Sequence, residues 1–149
     1  MAKLDRSVDS AVSLEPNLPF EFVVHGTAIS LQGSSRSRRD WKQTIQEAAR
    51  AALPEGSWLL TDPLAVTIFI FPGAEMQGDV DNRVKPILDA MVRCVYSDDE
   101  IVERVVVQKF EPGRVFAFQS PSITLVTALE ADDPVIYVRI TDDVHEELS

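Results

Sequence analysis

Eight consecutive residues, Leu64–Phe71 (LAVTIFIF), are apolar except for Thr67. Such a run suits a strand covered on both faces, or nearly so. Pro72 ends it, and Gly73–Gly78 forms a loop. The chain must therefore supply elements to cover this strand, and its periodicities show where they come from. Phe20–Leu31 (FEFVVHGTAISL) reads as a first strand, with Gly26 as a bulge or bend. Gly33, Ser34 and Ser35 make a loop before a helix from about Ser37 to Leu53. The apolar face of that helix is Trp41, Ile45, Ala48 and Ala52, and Pro54 and Gly56 stop it. A second helix, capped by Asp81 or Asn82, runs to about Cys94 with Val84, Ile87, Leu88 and Met91 on one face. Pro86 falls in its first turn or so, where a missing N–H is tolerated.

Ser97–Glu100 is a polar turn, and Ile101–Phe110 alternates as a strand. Two readings stand for residues 114–131. Ser120-Pro121 can cap a short helix, while Ile123, Leu125, Thr127 and Leu129 also alternate like a strand; the helix is preferred. Val135–Ile140 (VIYVRI) is a final strand. The order β-α-β-α-β-(α)-β predicts a single α+β domain, a mixed sheet with helices packed on it. Residues 1–17 are expected to be a flexible lead-in, 18–141 the domain and 142–149 an acidic tail.

At 149 residues the chain has the length of one domain with a real core. No apolar run approaches the roughly 20 residues of a membrane helix, and the N-terminus lacks a signal-peptide core. Cys94 is the single cysteine, so no intrachain disulfide forms and a reducing, cytoplasmic setting fits. His25 and His145 are both far in sequence from the acidic cluster below, which disfavours zinc. The net charge of −10 argues against a generic nucleic-acid binder. Its distribution softens this. Residues 130–149 hold seven acids and one arginine, whereas residues 17–129 hold eleven bases and fourteen acids.

The chemistry concentrates in Gly78–Glu100 (GDVDNRVKPILDAMVRCVYSDDE). Asp79 and Asp81 lie two apart, so in extended geometry both carboxylates face one way and can grip a cation. Taken alone, Asp-x-Asp-Asn before a helix reads first as turn and cap chemistry. An EF-hand is excluded, because its sixth and twelfth loop positions would be Val84 and Ala90. On a helix starting near Asp81, residues Asp81, Lys85, Asp89 and Arg93 form an i, i+4 row. This is either a surface ladder or a means of placing the Lys85 ammonium one turn from metal-binding carboxylates, within reach of a phosphate. Asp89 reads as a partner of Lys85 or Arg93. Asp98, Asp99 and Glu100 read alone as a solvated turn. A strand pairing beside the one that feeds Asp79 would return one of them to the same site as a third ligand for Mg2+. Arg36, Arg38, Arg39 and Lys42 stand where the first helix begins, against its macrodipole. Contact with DNA phosphates would account for that cost. Trp41 is read as core rather than as a base-stacking platform.

The stretch GDVDNRVKPILDAMVRCVYSDDEIVERVVVQKF resembles the signature region of the RusA family of Holliday junction resolvases. That pattern, approximately D-x-D-N-x-x-K-x-x-x-D-A-L followed by an aspartate pair and a V-x-x-x-x-V-x-K strand, is met by Asp79, Asp81, Asn82, Lys85, Asp89, Ala90, Asp98, Asp99 and Lys109. Met91 stands where leucine is common. The resemblance covers roughly residues 18–111. It implies Asp79, Asp81 and Asp99 as catalytic, metal-binding aspartates, Lys85 as the catalytic lysine and Asp98 as an accessory ligand. It further implies Mg2+-dependent cleavage of four-way DNA junctions, with Mn2+ as a substitute ion, by a homodimer leaving 5′-phosphate and 3′-hydroxyl ends. Prophages often encode such proteins. Two other readings stand beside it: a catalytically inactive binding or regulatory protein of the same fold, and a Mg2+-dependent hydrolase of nucleotides or small phosphoesters. The acidity of the chain favours the first and is no handicap to the second.

Overall fold

A computed structural model of the chain describes residues 16–76, 78–114 and 116–145. Four strands, β1 (Phe20–His25), β2 (Leu64–Phe71), β3 (Val102–Lys109) and β4 (Val135–Thr141), form one sheet in the order β1-β4-β2-β3. β4 runs antiparallel to both β1 and β2, and β2 runs parallel to β3. Three helices complete the set: α1 (Ser35–Ala52), α2 (Asp81–Met91) and α3 (Ile123–Glu130). This is the mixed α+β layer structure expected from the element order. Parallel strands need a long crossover, and α2 with its flanking loops provides it between β2 and β3.

Alternation along the inner strands divides the sheet's two faces. Phe20, Phe22 and Val24 of β1, Val66, Ile68 and Ile70 of β2, and Ile136, Val138 and Ile140 of β4 share one core with α1 and α2. Trp41, Ile45 and Ala49 of α1 and Val84, Ile87, Ala90 and Met91 of α2 fill its other side. On the opposite face Val135 and Tyr137 of β4 and the partly buried Val23, Phe69 and Phe71 pack with Leu125 and Ala128 of α3. The apolar run of β2 is thus covered on both sides, as its composition demanded. Phe69 stacks on Tyr137 with centroids 5.5 Å apart, and Phe71 stacks on Phe110 at 5.1 Å. Trp41 is a core residue, 5% exposed.

Several boundaries differ from expectation. β1 ends at His25, and Gly26 turns away to donate its N–H to Pro134 O at 2.9 Å. α1 begins at Ser35 because Ser34 caps it, its hydroxyl accepting the Ser37 N–H at 3.1 Å. Its buried face steps by four residues twice, to Ala49, leaving Ala48 half-buried and Ala52 exposed. α2 stops at Met91 rather than near Cys94, because Val92 is extended (φ −61°, ψ 128°) and Arg93 after it takes a left-handed conformation with φ 62°. Residues 114–131 resolve in favour of the helix, α3, which Ser122 caps by accepting the Leu125 N–H at 3.1 Å. The expected lead-in, 1–17, lies outside the described residues up to position 15, as do positions 146–149 of the expected tail. Pro16 is buried.

Candidate active site

The chain reaches the acidic motif through the loop 72–80. Gly78 has φ +83°, a conformation that side-chain-bearing residues rarely adopt, and it turns the chain into Asp79. Val80 then has helical dihedrals (φ −63°, ψ −41°), and Asp81 is the first residue of α2. The extended geometry expected across Asp79–Asp81 is therefore absent. The reason is local: the helix nucleates one residue earlier than a side-chain cap would place it, and no side chain caps its N-terminus. Asp79 and Asp81 are both exposed, and Asp81 lies in the first turn, where the helix macrodipole favours a negative charge.

Pro86 lies in the second turn, not the first. Lacking an N–H, it leaves the carbonyl of Asn82, four residues earlier, without its intrahelical donor. That carbonyl accepts the Leu31 N–H at 2.9 Å instead. The bond pins the loop leading into α1 to the first turn of α2. At the other end Gln46 Nε2 donates to Ala90 O at 3.2 Å. α1 and α2 therefore lie side by side with their N-termini at the same end. Arg36, Arg38, Arg39 and Lys42, all exposed on the first turns of α1, stand at the end that carries Asp79 and Asp81.

Lys85 occupies the centre of the row. Its Nζ lies 3.0 Å from Asp89 Oδ1 and 3.6 Å from Asp99 Oδ2. Asp89 is thus the lysine's partner, as its spacing predicted. The hydrogen bond and charge of Asp89, followed by those of Asp99, hold the Lys85 ammonium above its ordinary pKa. Asp99 arrives from a different segment. β3 pairs directly beside β2, and the short 3-10 turn Asp99–Ile101 precedes it. Tyr96 anchors this segment from below. It is fully buried, its hydroxyl donates to Leu88 O at 2.7 Å, and its carbonyl accepts the Arg93 N–H. Burial, reinforced by the charges of Asp89 and Asp99, pushes its phenol strongly upward. Ser97 N–H donates to Leu60 O at 3.0 Å and holds the next residue of the turn. Asp98 is exposed. A side-chain hydrogen bond with Asp99, followed by the backbone N–H groups of Asp99 and Glu100, holds its carboxyl below the usual range.

The structure thus joins Lys85 to Asp89 and Asp99 through direct contacts, with Asp98 beside Asp99 in the chain. Asp79 and Asp81 stand at the helix start, beside the basic segment. Among the described residues, no group of three or more His, Cys, Asp or Glu side chains is arranged to hold a metal ion. The donor chemistry nonetheless suits Mg2+, which prefers carboxylate oxygens and keeps several waters. One or two carboxylates with substrate phosphates are sufficient to bind it, without an all-protein cage. Tyr96 and Glu111, which support the acidic segments, do not stand out in the sequence. A tyrosine after an apolar pair and a glutamate in Glu-Pro-Gly both read as ordinary local features.

Carboxylates thus surround one exposed lysine, with four cations at the same helix end. The chain belongs to the endodeoxyribonuclease RusA family, whose model matches residues 26–117. The match runs from the residue after β1 to the segment after β3 and includes every residue of the site. No curated protein sequence matches the chain.

Proposed function

We propose that this nuclease-family protein resolves four-way DNA junctions as a homodimer, using Mg2+ held by Asp79, Asp81 and Asp99, with Asp98 as an accessory. The observation that carries the reading is the position of Lys85. Its ammonium touches Asp89 and Asp99 one helical turn from Asp81, and it has three N–H donors. The third is free to meet a phosphate oxygen. Because its partners hold it protonated, Lys85 serves as a fixed positive charge and not as a base. It would stabilise the charge that builds on the phosphate as water attacks in line. The bound ion would supply acidified water and a counter-charge for the leaving oxygen. Arg36, Arg38, Arg39 and Lys42 would grip the DNA backbone, which makes their place at a helix N-terminus functional. Two such sites, one per protomer, would face one junction and nick opposite strands. Mn2+ would replace Mg2+ at an oxygen-only site.

The test is cleavage of a synthetic four-way junction with and without Mg2+, beside the matching linear duplex. Paired nicks confined to the junction, abolished in Asp81→Asn with junction binding largely intact, are expected. Retained cleavage in that variant overturns the assignment of the site. The net charge of −10 is no handicap to one competing reading, a hydrolase of nucleotides or small phosphoesters. Mg2+-dependent release of phosphate from such compounds, without junction cleavage, would establish it.

A further inference from the structure

The loop 72–80 must deliver Asp79 and Asp81, and none of its described residues belongs to a helix or strand. A carboxylate on so long a connection is placed only as well as the loop is anchored. One anchor is steric. Gly73 lies so close to Pro134 that a Cβ there would sit 2.9 Å from Pro134 Cγ. The second is a charged group from another segment. Glu111, just past the end of β3, is 7% exposed, and its Oε2 accepts the Met76 N–H at 3.1 Å. Its Oε1 lies 3.0 Å from Lys109 Nζ and 3.9 Å from Arg114 Nη2. A buried carboxylate is rarely kept unless it is paired and hydrogen-bonded. Here both oxygens are used, one on the loop and one on the cations. Phe110 N–H donates to Ile70 O at 2.8 Å, which continues the β2–β3 ladder up to the residue before Glu111. The anchor is thus built on the sheet, and its loop contact is three residues before Asp79.

We propose that Glu111 is a positioning residue: by accepting the Met76 N–H it fixes the loop between β2 and α2, and so sets where Asp79 and Asp81 present their carboxylates. Lys109 keeps Glu111 ionised and in place. The proposal rests on the reading of Asp79 and Asp81 as the nuclease's metal-binding pair. A loosened loop would leave the DNA-gripping surface of α1 intact and would impair the step that needs both carboxylates in register.

The experiment compares wild type, Glu111→Ala and Glu111→Gln in two measurements on the full chain. In the first, amide hydrogen exchange is followed without DNA or metal. Glu111→Ala should speed exchange at Met76 and its loop neighbours at least about tenfold while β4 amides keep their protection. In the second, cleavage of the four-way junction is followed across a Mg2+ series. The alanine variant should cleave about 10- to 100-fold more slowly and need more Mg2+ for half-maximal rate, with junction affinity within about twofold of wild type. Glu111→Gln keeps an acceptor oxygen and nearly the same volume. It should recover most of both losses, and it remains informative if the alanine variant does not fold. Unchanged loop exchange in the alanine variant, wild-type cleavage despite a loosened loop, or a glutamine variant as impaired as alanine each overturns the proposal. Absence of cleavage by wild type would instead reject the nuclease reading, and the exchange measurement would still decide whether Glu111 holds the loop.

Discussion

Lys85 is charged because of what surrounds it. Two aspartates within 3.6 Å of an ammonium that is half exposed stabilise the protonated form. A lysine whose folded pKa is raised contributes its stabilisation fully below its unfolded value of 10.5, and loses it as pH rises through the higher folded value. Cleavage measured between about pH 6 and 9 should therefore show no inflection from Lys85. Lys85→Met should lower the single-turnover rate about 100- to 1,000-fold, the scale of losing one aimed donor, with little change in junction affinity. A loss confined to affinity would show that Lys85 binds substrate and does not act on it. Glu111 behaves in the opposite sense. Lys109 first, and then the Met76 N–H, lower its pKa from 4.5, so its contribution is present above that value and disappears as pH falls through the lower one. The candidate polar residues of the site are visible in the sequence as a combination, carboxylates two apart, a lysine at i+4 and an aspartate pair before a strand, whereas each piece alone reads as turn or cap chemistry. Glu111 is not, because its significance lies in a partner 35 residues away, and periodicity carries no trace of that contact.

At the scale of elements, the long apolar run and the helical spacings are plain in the sequence, since burial on two faces or one leaves a direct imprint on composition. Ends and caps leave no such imprint. Whether α2 begins with a side-chain cap or with bare backbone, and where it stops, depends on contacts made elsewhere, as Arg93 and Tyr96 illustrate. Pro86 is the clearest case. Spacing alone puts it where a missing N–H does no harm, whereas in the second turn the missing N–H releases a carbonyl to Leu31. Pro86→Ala would restore an N–H that competes for that carbonyl. In an ordinary helix interior, removing a proline stabilises by roughly 3 kcal/mol. Here the gain in urea unfolding should be smaller, and exchange at the Leu31 amide should quicken. A full gain with unchanged Leu31 exchange would show that the two donors share the carbonyl without conflict.

For the molecule as a whole, the issue is how an acidic chain would hold DNA. Acids are spread over the chain, with a dense group in residues 130–149, while four cations gather on the first turns of α1. Binding through so local a patch should depend on salt through those few cations alone. Replacing Arg36, Arg38 and Arg39 together by alanine should weaken junction binding and flatten the plot of log affinity against log salt by about one unit for each phosphate no longer gripped. An unchanged slope would move the DNA-binding surface elsewhere. Among the described residues, no helix is long and apolar enough to cross a membrane. Fold class follows from residue types and their spacing. The side-by-side arrangement of α1 and α2 does not, because it depends on hydrogen bonds between residues as distant as Leu31 and Asn82.

That last bond joins backbone to backbone, and this has a consequence for redesign. The segment carrying the arginines is fastened to the segment carrying the aspartates without any requirement on the side chain at position 31. New side chains could be grafted at the exposed positions 31 and 32, to give new preferences for branch geometry, while the acidic site stays in register. Proline is the one residue such a graft must not place at the fastening point, because it has no N–H to offer.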